Sequence, residues 1–151
     1  MHMRRAFAIG CLFVLAACPT QFSSNAQPLD RLYFPTGVVR VDAPGKTHGV
    51  LFVANANFDK RYESGMVVAL DLDALDLPAF GAPVAATGPR QVTDLKLTEQ
   101  ARAEVSSFTG EVGMLQLAPN KVRLFVPTRS ERMKFEAVDA TFQSDGTTRI
   151  R

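Results

Sequence analysis

The chain has no tryptophan, only two each of cysteine, histidine and tyrosine, and almost no excess of either charge. Both cysteines, Cys11 and Cys18, fall within the first eighteen residues. The rest of the chain therefore excludes a disulfide, thiolate catalysis and a cysteine-based metal centre. His48 is the sole histidine beyond position 2, which excludes the multi-histidine sites of metal enzymes and relays. The formal net charge is +2, and Arg4 and Arg5 account for it, leaving 15 acidic residues balanced by as many basic ones. Such a balance gives no basis for binding nucleic acid. No Gly-x-Ser-x-Gly, phosphate loop, zinc pattern or dinucleotide fingerprint occurs, so neither a cofactor nor a catalytic residue is expected. A long apolar run is missing too. Ala6 to Ala17 is the longest uncharged apolar stretch, and a transmembrane helix needs about 20 such residues.

What that stretch does suit is a signal peptide: Arg4 and Arg5 in front, an apolar middle, and small residues at its end. Leu15-Ala16-Ala17-Cys18 resembles the lipobox of bacterial lipoproteins. The resemblance implies that Cys18 is acylated and becomes the mature N-terminus, anchoring the protein to the membrane of a bacterial envelope. Pro19 in place of an aspartate implies outer-membrane sorting by the same resemblance. In the plainer reading Cys18 is an ordinary cysteine of a secreted protein. Arg4-Arg5-Ala6-Phe7 is similar to part of a twin-arginine signal, from which Met3 and Ala8 depart. Three segments are therefore expected: signal peptide at 1–17, flexible tether at 18–30 and folded domain at 31–151. The tether, including Phe22, is too polar and small to offset its ordering entropy.

The folded part is punctuated as an all-β protein. Val38, Val39 and Val41 precede Asp42-Ala43-Pro44-Gly45, a turn signal; Val50 to Ala54 and Met66 to Leu72 follow as strands. A second unit repeats the plan, with Val112 to Leu117, the turn Ala118-Pro119-Asn120, Val122 to Val126 and Phe135 to Val138. Leu51-Phe52-Val53 recurs as Leu124-Phe125-Val126, and Ala69-Leu70-Asp71 is echoed by Ala137-Val138-Asp139. The spacing exceeds one blade period of ~40 to 45 residues and falls short of two. Between the units, Leu77 to Pro89 reads as an irregular loop, and Thr98 to Glu104 as either a short helix or an extended segment. The expected fold is all-β: antiparallel meanders amounting to about two blades, with an irregular insertion.

Pro35-Thr36-Gly37-Val38, Leu51 to Asn55 and Met66 to Asp71 together resemble one repeat of the YVTN class of β-propellers, with Phe52-Val53-Ala54-Asn55 where that family has Tyr-Val-Thr-Asn. Pro127 and Thr128 depart from the pattern in the second unit, where an irregular edge is expected. A propeller of four blades at ~40 residues each needs roughly 160 residues, more than Arg31 to Arg151 provide. Thr147 to Arg151 offers no strand to pair back with Leu32 to Phe34. The resemblance thus implies an incomplete propeller, whose uncovered faces invite self-association or a partner.

Asn55, Asn57 and Asp59 alternate in a spacing that can offer oxygens to calcium. Lys60 stands where a calcium loop wants glycine and Met66 where it wants glutamate, and side chains capping the loop backbone are the simpler expectation. Asp71 and Asp73 could bind a metal or close a turn. His48 is expected to be exposed. Arg129, Arg132 and Lys134 could meet an anionic glycan or lipid headgroup, or keep a loop soluble. The leading functional expectation is a membrane-tethered binding or scaffolding module whose blade loops contact an envelope protein or polymer. The alternatives are a hydrolase of the lactonase-like propeller kind and a fragment without activity.

Overall fold

The computed structural model describes residues 26–75, 97–129 and 133–151. Cys18 with the signal, Phe22, the loop from Leu77 to Pro89 and Arg132 lie outside the described residues. Among the described residues eight strands form two antiparallel sheets, each in sequential order. The first sheet holds β1 (Pro35–Val41), β2 (Val50–Asn55), β3 (Gly65–Asp71) and β4 (Arg102–Val105). The second holds β5 (Gly113–Ala118), β6 (Lys121–Thr128), β7 (Lys134–Phe142) and β8 (Thr148–Ile150). The fold is all-β, and each sheet is a four-stranded meander of the kind that makes a propeller blade. Among the described residues no helix is long and apolar enough to cross a membrane.

Valine-rich runs explain β1 to β3 and β6, because β-branched side chains fit a pleated, half-buried surface. Gly49 closes the β1–β2 hairpin at φ +81°, where any Cβ would run into the Val41 carbonyl. The segment Thr98 to Glu104 divides: Glu99–Ala101 is one 3₁₀ turn, and Arg102 opens β4. Thr148 to Ile150 is a strand as well, paired with β7 and not with Leu32 to Phe34. The expected irregularity at Pro127 is absent. β6 pairs with β7 without a break through Pro127↔Phe135 and Thr128↔Lys134, because Pro127 lies beyond the end of β5 and no ladder partner needs its missing N–H.

The sheets stack face to face over one core. Val41, Val50, Phe52, Ala54, Val67 and Ala69 of the first sheet meet Val122, Leu124, Val126, Val138, Ala140, Phe142 and Ile150 of the second. The other face of the first sheet, with Val53, Met66, Val68 and Leu70, is covered by Leu29, Leu32 and Leu97. β2 and β3 are therefore buried on both sides. Packing begins earlier in the chain than Arg31: Gln27 is buried, its amide donates to the Ser64 carbonyl (3.1 Å), and Leu29 joins the core.

The connection from β4 to β5 locks the two sheets together. Phe108 N–H donates to Ala56 O (2.6 Å), Gly110 N–H to Pro127 O (2.9 Å), and the Thr36 and Thr109 hydroxyls share a hydrogen bond of 2.8 Å. Gly37 lies so close to this connection that a Cβ there would collide with the Gly110 carbonyl and come within 2.9 Å of Glu111 Cα and Val112 N. Only glycine permits that approach.

Candidate functional site

Register makes the two sheets comparable position by position. Phe52 pairs with Ala69 across β2 and β3, and Leu51 with Leu70. In the second sheet Phe125 pairs with Ala137, and Leu124 with Val138. The recurring Leu-Phe-Val and its aspartate-ended partner strand therefore sit in the same ladder in both sheets. Alternation then puts Phe52 and Phe125 on the same side of their own sheets. Phe52 points into the shared core and is 0% exposed; Phe125 points away from it and is 37% exposed. On that outer face Leu115 is 51% and Phe135 75% exposed, beside Ala137 and Pro127. Singly exposed apolar residues are ordinary, whereas Leu115, Phe125 and Phe135 share one sheet face.

The same face changes character along the strands. Beyond Phe125 and Ala137 come Arg123 and Asp139, then Lys121 and Thr141, joined by Arg149 and Arg151 at β8. A concave pocket of about 450 Å³ opens here, lined by these six side chains with Ala137 and Gln143. Arg123 holds Asp139 through two bonds, Nε to Oδ1 at 2.7 Å and Nη2 to Oδ2 at 3.0 Å, and Lys121 Nζ adds a third contact at 2.9 Å. The Arg123 bond and then the Lys121 bond hold the Asp139 carboxyl well below the ordinary carboxylate range.

A third feature is the loop end of the molecule. Phe34, Phe58 and Phe108 form a ring cluster, with centroids 6.0 Å apart for Phe34–Phe58 and 5.6 Å for Phe58–Phe108. Phe34, Asn57, Lys60 and Phe108 all have left-handed backbone, at φ 48° to 60°. Conformations of that sort cost about 1 to 3 kcal/mol each and persist where surroundings enforce them. Asn57 supplies part of the enforcement. Its Nδ2 donates to Tyr62 O (2.6 Å) and Ser107 Oγ (3.1 Å), while its Oδ1 accepts from Tyr62 N–H (3.1 Å).

The residues singled out as calcium candidates are occupied with such capping. Asn55 Oδ1 accepts from Tyr33 N–H (3.1 Å), and Asp59 Oδ1 from Arg61 N–H (3.2 Å). Asp71 and Asp73 close a turn. Asp71 binds Lys46 Nζ at 2.6 Å, and the Asp73 carboxylate takes Thr47 N–H (2.8 Å), His48 N–H (2.6 Å) and His48 Nδ1 (2.8 Å). The backbone bonds from Thr47 and His48 lower the Asp73 pKa. His48, expected to be exposed, is instead half-buried against Asp73, its Nε2 enclosed without a partner among the described residues. Among the described residues no three His, Cys, Asp or Glu side chains gather where they could hold a metal ion.

Of the three features, sequence reading touched only the loop end, through the calcium candidates; Lys134 lies outside the row of cations, with its Nζ on Glu136 Oε1 (3.0 Å), and Arg129 falls at the Phe108 end, where its N–H donates to Phe108 O (3.2 Å). The open face and the row of cations were missed, since their members lie in four different strands. No protein-family model, curated protein or solved structure matches this chain.

Proposed function

We propose that this protein is a lipid-anchored envelope protein that acts as a binding module, holding a β-sheet of a partner protein against the apolar half of its second sheet. The observation that carries the reading is the contrast between Phe52 and Phe125. They occupy one register position, and Phe52 is covered by a second sheet whereas Phe125 has none over it among the described residues. What covers Phe52, namely Val122, Leu124 and Val126 with their neighbours, describes what should cover Phe125: an aliphatic sheet face.

A second copy of this chain does not supply that face. One of its two aliphatic back faces is used by its own first sheet, and the other by Leu29, Leu32 and Leu97. The lipid anchor rests on the lipobox-like Leu15 to Cys18, and the propeller-like reading on the repeated ladder. A photo-crosslinking residue at position 125 of the full-length protein in its membrane should yield one defined adduct with a β-sheet protein, and the same residue at exposed position 38 should not. Adducts only between copies of this chain, or equal yields at both positions, would defeat the proposal. For the anchor, Cys18→Ser should abolish acyl labelling; wild-type protein recovered soluble with a free thiol would refute it.

A further inference from the structure

We infer that the polar half of this outer face is an oxyanion-binding site, built from Lys121, Arg149 and Arg151 around Thr141, with Arg123 and Asp139 as its brace. The pleat puts these six residues in a grid. β6 gives Lys121 and Arg123, β7 gives Thr141 and Asp139, and β8 gives Arg149, with Arg151 just beyond it. Lys121 faces Thr141 and Arg123 faces Asp139 on one side; Arg149 faces Thr141 on the other. Arg151 is opposite Asp139, joined to it by N–H to carbonyl bonds in both directions at 2.9 Å. With strands ~4.8 Å apart and alternate residues ~6.8 Å apart, the Cα positions of the four basic residues mark the corners of a rectangle of roughly 10 by 7 Å, from which Lys121 and Arg123 both lean onto Asp139.

Charge and hydrogen-bonding capacity both favour an anion. Asp139 offsets one of four positive charges, and it is already engaged by Arg123 and Lys121. Asp139 therefore fixes the orientation of two cations and does not neutralise the site. The Thr141 hydroxyl lies in the middle of the row between Lys121 and Arg149, where it can donate to an oxygen seated there. Arginine suits this chemistry because its planar fork meets two oxygens of a phosphate, sulfate or carboxylate at once. In the first sheet the register equivalent of Arg123 is Val50, 1% exposed in the core. The second sheet thus carries charge where a continuing stack would need an aliphatic residue, and this half of the face is built for a polar ligand. The partner sheet proposed above sits on the apolar half and is not required here.

Two probes separate a soluble oxyanion from a lipid headgroup. Titrating the protein with inorganic phosphate should give saturable amide shifts centred on Ala140, Thr141 and Arg149, weakening as salt screens the charges. Flotation with phosphatidylglycerol vesicles, against phosphatidylcholine vesicles, tests the headgroup. The double change Arg149→Ala and Arg151→Ala should weaken whichever binding occurs at least tenfold, and Arg149→Lys should retain most of it. Lys134→Ala, which removes a cation outside the grid, should leave it unchanged. Grid-dependent binding of phosphate alone identifies a soluble oxyanion, and of vesicles alone a headgroup; either supports the site. Absence of both, or an equal loss with Lys134→Ala, overturns it. Thermal unfolding of each variant shows that a loss of binding is not a loss of fold.

Discussion

Phe52 and Phe125 stand at the same place in two sheets of the same strand order, and their surroundings have little in common. Around Phe52 lie a second sheet on one side and, behind β2, a cover of leucines from the segments that precede β1 and β4. Around Phe125 there is packing behind and, among the described residues, an open face in front. A sheet's local plan, its strands, turns and register, is therefore separate from the use made of its faces. In the first sheet both faces serve stability. In the second, one serves stability and the other stands open among the described residues.

The largest test of this contrast is truncation of the paired phenylalanines. Phe52→Ala should cost about 3 to 5 kcal/mol, the usual loss for a large aromatic removed from a packed core, and Phe125→Ala no more than about 0.5 kcal/mol, as at ordinary surface positions. Urea denaturation of both variants measures the difference, and equal losses would mean that the outer face is structural after all.

Next in size is the contact that binds the sheets. Gly37→Ala forces a methyl group into the Gly110 to Val112 backbone, and overpacking of that kind costs about 1 to 3 kcal/mol. The expected signature is a lower denaturation midpoint with the β1–β2 register preserved in amide exchange. Asn57→Ala removes a buried amide that satisfies the Tyr62 backbone at both its N–H and its carbonyl, at a cost of about 1 to 3 kcal/mol. Millimolar calcium should leave the melting temperature of the wild type unmoved, since those oxygens already accept backbone N–H groups. An upward shift that Asp59→Ala abolishes would restore the calcium reading.

The smallest effect is electrostatic. Asp139 in the second sheet and Asp73 beside the first both have lowered pKa values. Their bonds then contribute fully above the unfolded carboxylate pKa of about 3.9, and the contribution is lost as pH falls through the lower folded values. Stability should decline on acidification below about pH 5, and Asp139→Asn should flatten that decline. Asp139 keeps a quarter of its side chain in solvent, so the change is about 1 kcal/mol or less. Denaturation midpoints followed down the acid limb would show it, and an unchanged slope would mean that the ion pairs contribute nothing to folding.

Much of the fold was legible because its signals are local. Valine runs, the Pro44-Gly45 and Pro119-Asn120 turns and the recurrence of Leu-Phe-Val require only neighbouring residues to be read. β8 was not legible and β4 only as one of two alternatives, since Arg102 to Val105 and Thr148 to Ile150 are too short to establish a period and become strands by pairing with β3 and β7. Gln27 and Leu29 looked like tether for a similar reason. Their polar, small-residue context says nothing of Ser64 and the leucine cover that they meet.

The sequence by itself determined an all-β chain of two meanders, neutral beyond Arg5 and without internal cysteine chemistry, because composition and alternation act residue by residue. Only the tertiary structure decided which side of each alternation is core. Leu-Phe-Val reads identically in β2 and β6, yet Phe52 is buried and Phe125 is not, because burial belongs to whatever lies across the face and not to the strand. The cation grid has the same origin: Lys121, Thr141 and Arg149 become neighbours only when three strands are laid side by side.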